Sequence, residues 1–429
     1  MKEYIGPQNI LKKKQKYIMP CLGHFYKNPP QFVKGTMQYL FDNTGKKYTD
    51  FFAGVSVMNC GHCNPEITAA VCQQVNELQH VCNIYLTENF VNLAEKLAQV
   101  TPGTLQKSFF CSTGTEANEG ALLLAELYTK NNEYIALRHG LHGRTKLTMS
   151  LTGISMWRTD PHPVGGIHFA PNPDCYRCPL KKHYPECDIE CANMLEDIIN
   201  YSTANKVAAF IAEPIQGNAG IIVPPKNYFK RIKEILNRHH ILLIIDEVQS
   251  GFARTGKMFA IENFDVVPDI MTMAKALGNG VPISAFIATA EIADAYVKPS
   301  ASTLGGNPVS TAAGIAVLDY IKKHDLLNNA QERGRQLKNG LKDIQSRHPL
   351  IGDVRGIGLM VGAELVTKGK IPAAAKLDII SEEMKDRGFV IGKNGISRNV
   401  LAFQPPLVIT EKNIANMLDA LETTIKKYE

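Results

Sequence analysis

Short runs of uninterrupted apolar residues, separated by stretches of helical periodicity, organise the middle of this chain. They fall at Ser108–Cys111, Tyr134–Leu137, Val207–Ala212, Ile241–Ile245, Ile270–Met273 and Ile283–Ala288. A run that does not alternate apolar with polar predicts a strand covered on both faces. Between them, Glu116–Lys130 and Tyr228–His239 repeat apolar residues at the three- and four-residue spacing of an amphipathic helix. That rhythm predicts an α/β core with a mainly parallel sheet. Upstream, Pro65–Gln79 and Asn89–Val100 read as amphipathic helices, and Tyr39–Tyr48 as a hairpin turning at Asp42-Asn43-Thr44-Gly45. Later, Ala312–Lys322 and Asn328–Ser346 predict helices, Gly358–Glu364 and Leu401–Phe403 strands, and a last helix starts at Glu411. The expected organisation is a large domain over 61–310 and a smaller α+β domain, the latter formed by the N-terminal segment 1–60 and by 311–429.

Composition narrows the class. With 429 residues, 45% of them hydrophobic and 21% charged, the chain reads as an ordinary soluble globular protein. Its net charge of +6 is small, and the one basic run, Lys12-Lys13-Lys14, reads as a solvated face, which argues against nucleic-acid binding. No apolar stretch approaches the ~18–20 residues of a membrane span, and the N-terminus lacks a signal-peptide core, so a cytoplasmic location is expected. Six of the ten cysteines are scattered and read as small core residues. The other four cluster as Cys175-x2-Cys178-x8-Cys187-x3-Cys191, which could close a zinc site or be a surface insertion with free or redox-labile thiols. The irregular spacing leaves no metal assigned.

Ligands of such sheets gather at the carboxyl ends of the strands. Cys111-Ser112-Thr113-Gly114-Thr115-Glu116 ends a strand and opens a helix, offering either free N–H groups for a phosphate or an ordinary helix cap. Glu213, Asp246-Glu247 and Lys275 end three further runs. A lysine and an aspartate at strand exits are the two groups pyridoxal phosphate chemistry needs: one attaches the cofactor, the other holds its ring nitrogen protonated. A competing pattern, Gly251-Phe252-Ala253-Arg254-Thr255-Gly256-Lys257, fits a nucleotide-binding GxxxxGK. Met258, however, stands where a hydroxyl should meet magnesium, and the acidic motif Asp246-Glu247 would share the same strand exit. No GxGxxG follows a strand, so a nicotinamide enzyme is unsupported.

Together these segments resemble the class III aminotransferases, pyridoxal-phosphate enzymes of fold type I, and are similar to alanine–glyoxylate, 4-aminobutyrate and ω-amino acid aminotransferases. The resemblance runs from Asp50-Phe51-Phe52-Ala53-Gly54 and Gly61-His62 through Gly114–Glu119, His142-Gly143-Arg144-Thr145, Glu213-Pro214 and Asp246–Gly251 to Lys275. It continues in Thr303–Pro308, Val354–Gly358 and Pro405-Pro406-Leu407. It implies a fold type I transferase in which Lys275 attaches the cofactor and then shuttles a proton between substrate Cα and cofactor C4′. It also implies that Asp246 pairs with the pyridinium nitrogen, that Val248 packs on the ring, and that Gln249 reaches its phenolic oxygen. Gly114 and Thr115 would hold the phosphate, and His142 would lie beside the ring. Thr303 would reach the phosphate of a neighbouring subunit, implying a homodimer or dimer-based tetramer with a shared active site. Glu213 would line both cofactor and substrate space.

Two positions depart from the family pattern. Leu141 replaces the usual aromatic on the outer ring face, forfeiting roughly 0.5–1.5 kcal/mol of stacking. Ala402 stands where relatives acting on ordinary α-amino acids place a carboxylate-binding arginine, three residues before Pro405. Arg398 is then the nearest candidate for that task, or else a loop surface residue. The expected reaction is ping-pong transfer from an amino acid, ω-amino acid or amine to a 2-oxo acid such as pyruvate or 2-oxoglutarate, with the donor tilted toward the β-alanine, 4-aminobutyrate or taurine kind. The alternatives are a racemase, epimerase or lyase of the same family and, more distantly, a nucleotide-binding protein.

Overall fold

In the central strands, neighbouring side chains serve different cores. The computed structural model describes residues 3–428. In strand Val207–Ala212, Phe210 and Ala212 join one cluster while Ala209 and Ile211 join another. Leu243 and Ile245 divide from Ile244 in the same way along Leu242–Asp246. Side chains alternate across a strand, so an all-apolar run feeds two cores at once. On one face the helix Gly114–Thr129 supplies Ala121, Leu122 and Ala125; on the other, Tyr228–Arg238 supplies Phe229, Ile232 and Leu236.

The resulting seven-stranded sheet has the order Leu105–Cys111, Ser284–Thr289, Ile270–Met273, Leu242–Asp246, Val207–Ala212, Glu133–Leu137, Ile167–Ala170. Its pairings are parallel except those of Ser284–Thr289, which runs antiparallel to both neighbours. The α/β sheet expected from the apolar runs is therefore present. It gains an edge strand, Ile167–Ala170, whose His168 interrupts any apolar run. Two smaller sheets flank it. One joins Phe32–Thr36, Tyr39–Asp42 and Lys47–Asp50 to Phe389–Val390, so segments from the two halves of the chain share a sheet. The other contains Ile351–Ile357, Met360–Thr367, Val400–Phe403 and Gly392–Asn394, with Ile371–Pro372 on the side, and packs against the helices Leu326–Arg347 and Glu411–Ile425.

The GxxxxGK stretch proves to be a tie between layers. It opens no helix, and Arg254 within it is fully buried, donating to Leu359 O at 3.0 Å and Pro405 O at 2.5 Å and also to Asn59 Oδ1. The nucleotide-loop alternative fails on this geometry, because a P-loop needs its N–H groups free at a helix start.

Candidate active site

Parallel neighbours bring their carboxyl ends together, and three of these strands end over one cavity of about 480 Å³. Glu213, Asp246 and Lys275 leave those ends and line it. So do Gly114, Thr115, Leu141, His142, Val248 and Gln249, so nine of the expected site residues converge. The volume lies within the ordinary range for a small-molecule site.

Lys275 opens the short 3₁₀ turn Lys275–Gly278 with a φ of 43°, a left-handed conformation that strains a non-glycine residue by roughly 1–3 kcal/mol. Its amine has no hydrogen-bond partner among the described residues. Burial pulls its pKa below the usual lysine value, while the nearby Asp246 and Glu213 pull the other way. Lowered basicity leaves more of a buried amine unprotonated, the form that acts as nucleophile and proton acceptor.

Asp246 sits in a fully buried network. Its Oδ2 accepts from Asn118 Nδ2 at 2.9 Å and lies 2.9 Å from His142 Nδ1, while Oδ1 accepts from Val248 N at 3.1 Å. Asn118 is fixed in turn: its amide also donates to His142 O at 2.6 Å, and its Oδ1 accepts from Thr272 Oγ1 at 2.6 Å. Thr272 is the register partner of Asp246 on the adjacent strand, which places this support directly beside it. Glu213 accepts from Leu141 N at 3.0 Å and Gly217 N at 2.9 Å. Burial pushes its carboxyl up to about 7; Asp246 adds to the rise, and His142 and the two backbone donors oppose it.

The anion end is the start of the helix Gly114–Thr129. Thr113 and Glu116 form a capping box: Thr113 Oγ1 accepts from Glu116 N, and Glu116 Oε2 accepts from Ser112 N and Thr113 N. This leaves the first helical N–H groups, those of Gly114 and Thr115, without intrahelical acceptors at the positive end of the helix. A Cβ on Gly114 would come within 2.9 Å of Val248 Cγ1, so glycine keeps this cradle open.

The structure also brings in groups that the sequence reading passed over. Asn118 and Thr272 had no signal beyond being polar. Arg144 lines the cavity, exposed, and its side chain has no ion-pair partner among the described residues. Trp157, the only tryptophan, lines the cavity and donates to Asn218 Oδ1 at 2.9 Å. Two expected residues lie elsewhere. Thr303 is exposed and off this cavity, and Arg398 is exposed and lines a separate recess with Phe25, Asp378 and Glu382. Ala402 is buried among Phe52, Ile215, Ile221 and Met360, an apolar setting that would not welcome a guanidinium.

An amine, a buried carboxylate and a helix-terminus anion cradle around one cavity fit pyridoxal phosphate. His142 Nε2, buried without a partner, is a further polar group left over in its wall. The fold and this site define a pyridoxal-phosphate-dependent transferase of fold type I. The family model "Aminotransferase class-III" matches residues 26–425, and the chain belongs to that family. It is 42% identical over 429 residues to alanine–glyoxylate aminotransferase 2 homolog 2, mitochondrial, of Arabidopsis thaliana, spanning 99% of this chain and 89% of that one. It is 40% identical over 420 residues to the leucine/methionine racemase of Thermococcus litoralis, spanning 96% and 94%. The structure of a Bacillus anthracis aminotransferase superposes with a TM-score of 0.92 at 33% identity, covering 98% of both chains. The protein is thus a class III aminotransferase with pyridoxal phosphate as cofactor, a group that supplies an aldehyde for an amine and an electron-withdrawing ring.

Proposed function

We propose that this aminotransferase accepts an amino group from an amine, ω-amino acid or amino acid and passes it to a 2-oxo acid such as pyruvate or 2-oxoglutarate. One observation carries the reading: an amine of lowered basicity, Lys275, faces the cavity between Asp246 and Glu213. Lys275 would hold the cofactor, and its amine, of lowered basicity, would serve as the base that moves the substrate proton. Asp246, oriented by Asn118 and His142, would accept the ring N–H and keep the ring electron-withdrawing. Val248 and Leu141 would pack against the cofactor ring, Gln249 would supply a donor to its oxygen, and Gly114 and Thr115 would hold its phosphate. Arg144 takes the task that Ala402 leaves open: among the described residues it is the one guanidinium lining the cavity and has no competing carboxylate. A carboxylate-bearing substrate would pair with it bidentately.

A homodimer completes the site. The segment bearing Ile84, Tyr85 and Leu86, exposed at 69%, 65% and 102%, precedes Phe90, which packs against Gly306 in the turn that follows Thr303. Such an apolar patch is the mark of an interface, and Thr303 beside it would reach a partner's phosphate. Free cysteines throughout fit a reducing compartment such as the cytosol.

The test is a single half-reaction. Purified enzyme given amino donor alone converts stoichiometrically to the pyridoxamine form, with one keto product per site. Racemised or eliminated product with the aldehyde absorbance retained overturns the reading. That outcome would support racemisation or elimination, of which the relative named a leucine/methionine racemase is the reason to test it.

A further inference from the structure

The segment from Pro171 to Ile189 carries no helix or strand, yet it is held in place. Tyr176 packs on Gly352, where a Cβ would approach its hydroxyl to 2.3 Å, and Arg177 pairs with Glu364 and donates to Lys370 O at 2.9 Å. Internally the segment has almost no apolar core. It has instead one small cavity of about 20 Å³, room for a single atom-sized occupant, and all four clustered cysteines line it. None is in a disulfide.

Two buried polar groups beside these thiols lack partners. Asn172, 1% exposed, lines the same cavity, and neither its amide nitrogen nor its oxygen has a hydrogen bond. The Tyr228 hydroxyl is fully buried, also without a partner among the described residues, and has the Cys191 thiol close by. Leaving such groups unmet costs about 1–3 kcal/mol each, and the two donors among them, Asn172 Nδ2 and the Tyr228 hydroxyl, call for an acceptor beside the thiol cluster. Metal-bound thiolate sulfur is such an acceptor, and donors of this kind support the ligands of metal sites.

We propose that Cys175, Cys178, Cys187 and Cys191 bind one zinc ion as thiolates, in a closed tetrahedral site that clips this segment to the body of the enzyme. Four protein ligands leave no open position, so the role is structural. Among the described residues no three metal-ligating side chains are already gathered as a finished site. Binding therefore draws the 175–189 turns inward until the sulfurs reach bonding distance, about 2.3 Å. Each of the four thiols releases its proton to solvent and keeps both sulfur electrons for the metal, giving a centre of net charge 2−. Asn172 Nδ2 and the Tyr228 hydroxyl donate to its sulfurs, while Lys182, which lines the cavity, stays paired with Glu190. Thiols bind a metal as thiolates, so binding displaces protons and affinity rises with pH. This inference is independent of the transamination reading.

The cofactor-loaded full chain, produced with zinc under reducing conditions and dialysed, should retain about one zinc per chain. Cys178→Ser and Cys191→Ser should lose it, and Cys82→Ser should keep it. Cobalt in place of zinc should give the intense visible bands of a tetrahedral thiolate site, a readout on the unmutated chain that survives any failure of the variants to fold. Zinc in the wild type no higher than in Cys178→Ser overturns the proposal. So does an intact mass short by the hydrogens of one or two disulfides, or alkylation of all four thiols in the zinc-supplied native chain as fast as that of exposed Cys21.

Discussion

At its cofactor end the cavity is walled by Asp246, His142 and Asn118, at 3%, 2% and 1% exposure, each bonded to another of the three. At its mouth stand Arg144, exposed and unpaired, and Trp157, 45% exposed with one hydrogen bond. The first end cannot change one member without stranding a buried charge or amide, which costs several kcal/mol. Substitutions at the mouth leave little unpaired and are cheap to the fold. Reaction class is therefore written in the buried network, and substrate choice in side chains that the fold does not constrain.

The most severe break at the buried end is Lys275→Ala. With both attachment and proton transfer removed, kcat should fall by at least about 10⁴-fold while circular dichroism stays native. Residual activity within about tenfold of wild type would mean another base moves the proton. Asn118→Ala tests the network one bond further out. Removing a donor to a buried carboxylate is worth about 1.5–3 kcal/mol, so kcat should fall by roughly 10–100-fold. Thr272→Val, which only frees the Asn118 oxygen, should cost about tenfold or less, and both variants should shift the pH profile of the cofactor absorbance. A loss of expression without that shift would make Asn118 a core residue only.

At the mouth, Arg144→Ala should raise KM for carboxylate acceptors by about tenfold or more and leave kcat nearly unchanged, the signature of lost ground-state binding. Arg398→Ala should change neither, since its side chain opens on a different recess. Reversal of the two results would return the carboxylate clamp to Arg398 and require that recess to join the active site.

The same contrast explains what the chain disclosed before its structure. Apolar runs such as Val207–Ala212 and Ile270–Met273 match their strands to the residue, because a strand buried on both faces must be apolar throughout. Lys275 and Asp246 were legible because charge at the end of such a run is conspicuous. Ile167–Ala170 was not legible: an edge strand needs only half its side chains apolar. Asn118 and Thr272 were hidden for a different reason. Their partners lie 128 and 154 residues away along the chain, a separation no local pattern encodes. Arg144 was in view within His142–Thr145 but indistinguishable from a surface arginine until the cavity showed it had no partner. Arg398 drew attention by closeness in sequence to Ala402, but it closes the turn before the strand Val400–Phe403, with a φ of 53°, and opens on a different recess.

The smallest effect concerns Glu213, which links the two ends. Its carboxyl is raised from an ordinary value of 4.5 to about 7, chiefly by burial. Between those values the folded chain holds a proton that the unfolded chain has released. Its stabilising contribution is thus complete below about pH 4.5, declines as pH rises through about 7, and is absent above that. Glu247, also buried and raised to about 7, acts in the same direction and remains in the variant. In cofactor-free protein, Glu213→Gln should therefore remove part, not all, of the decline in urea midpoint between about pH 5 and 8. The amide oxygen can still accept from Leu141 N or Gly217 N, so the loss at low pH should stay near 1 kcal/mol. Identical pH slopes in variant and wild type would mean that Glu213 is already charged across this range. The cavity would then hold two buried carboxylates beside Lys275, its amine would stay protonated at neutral pH, and attack by the neutral amine would have to await the arrival of the cofactor.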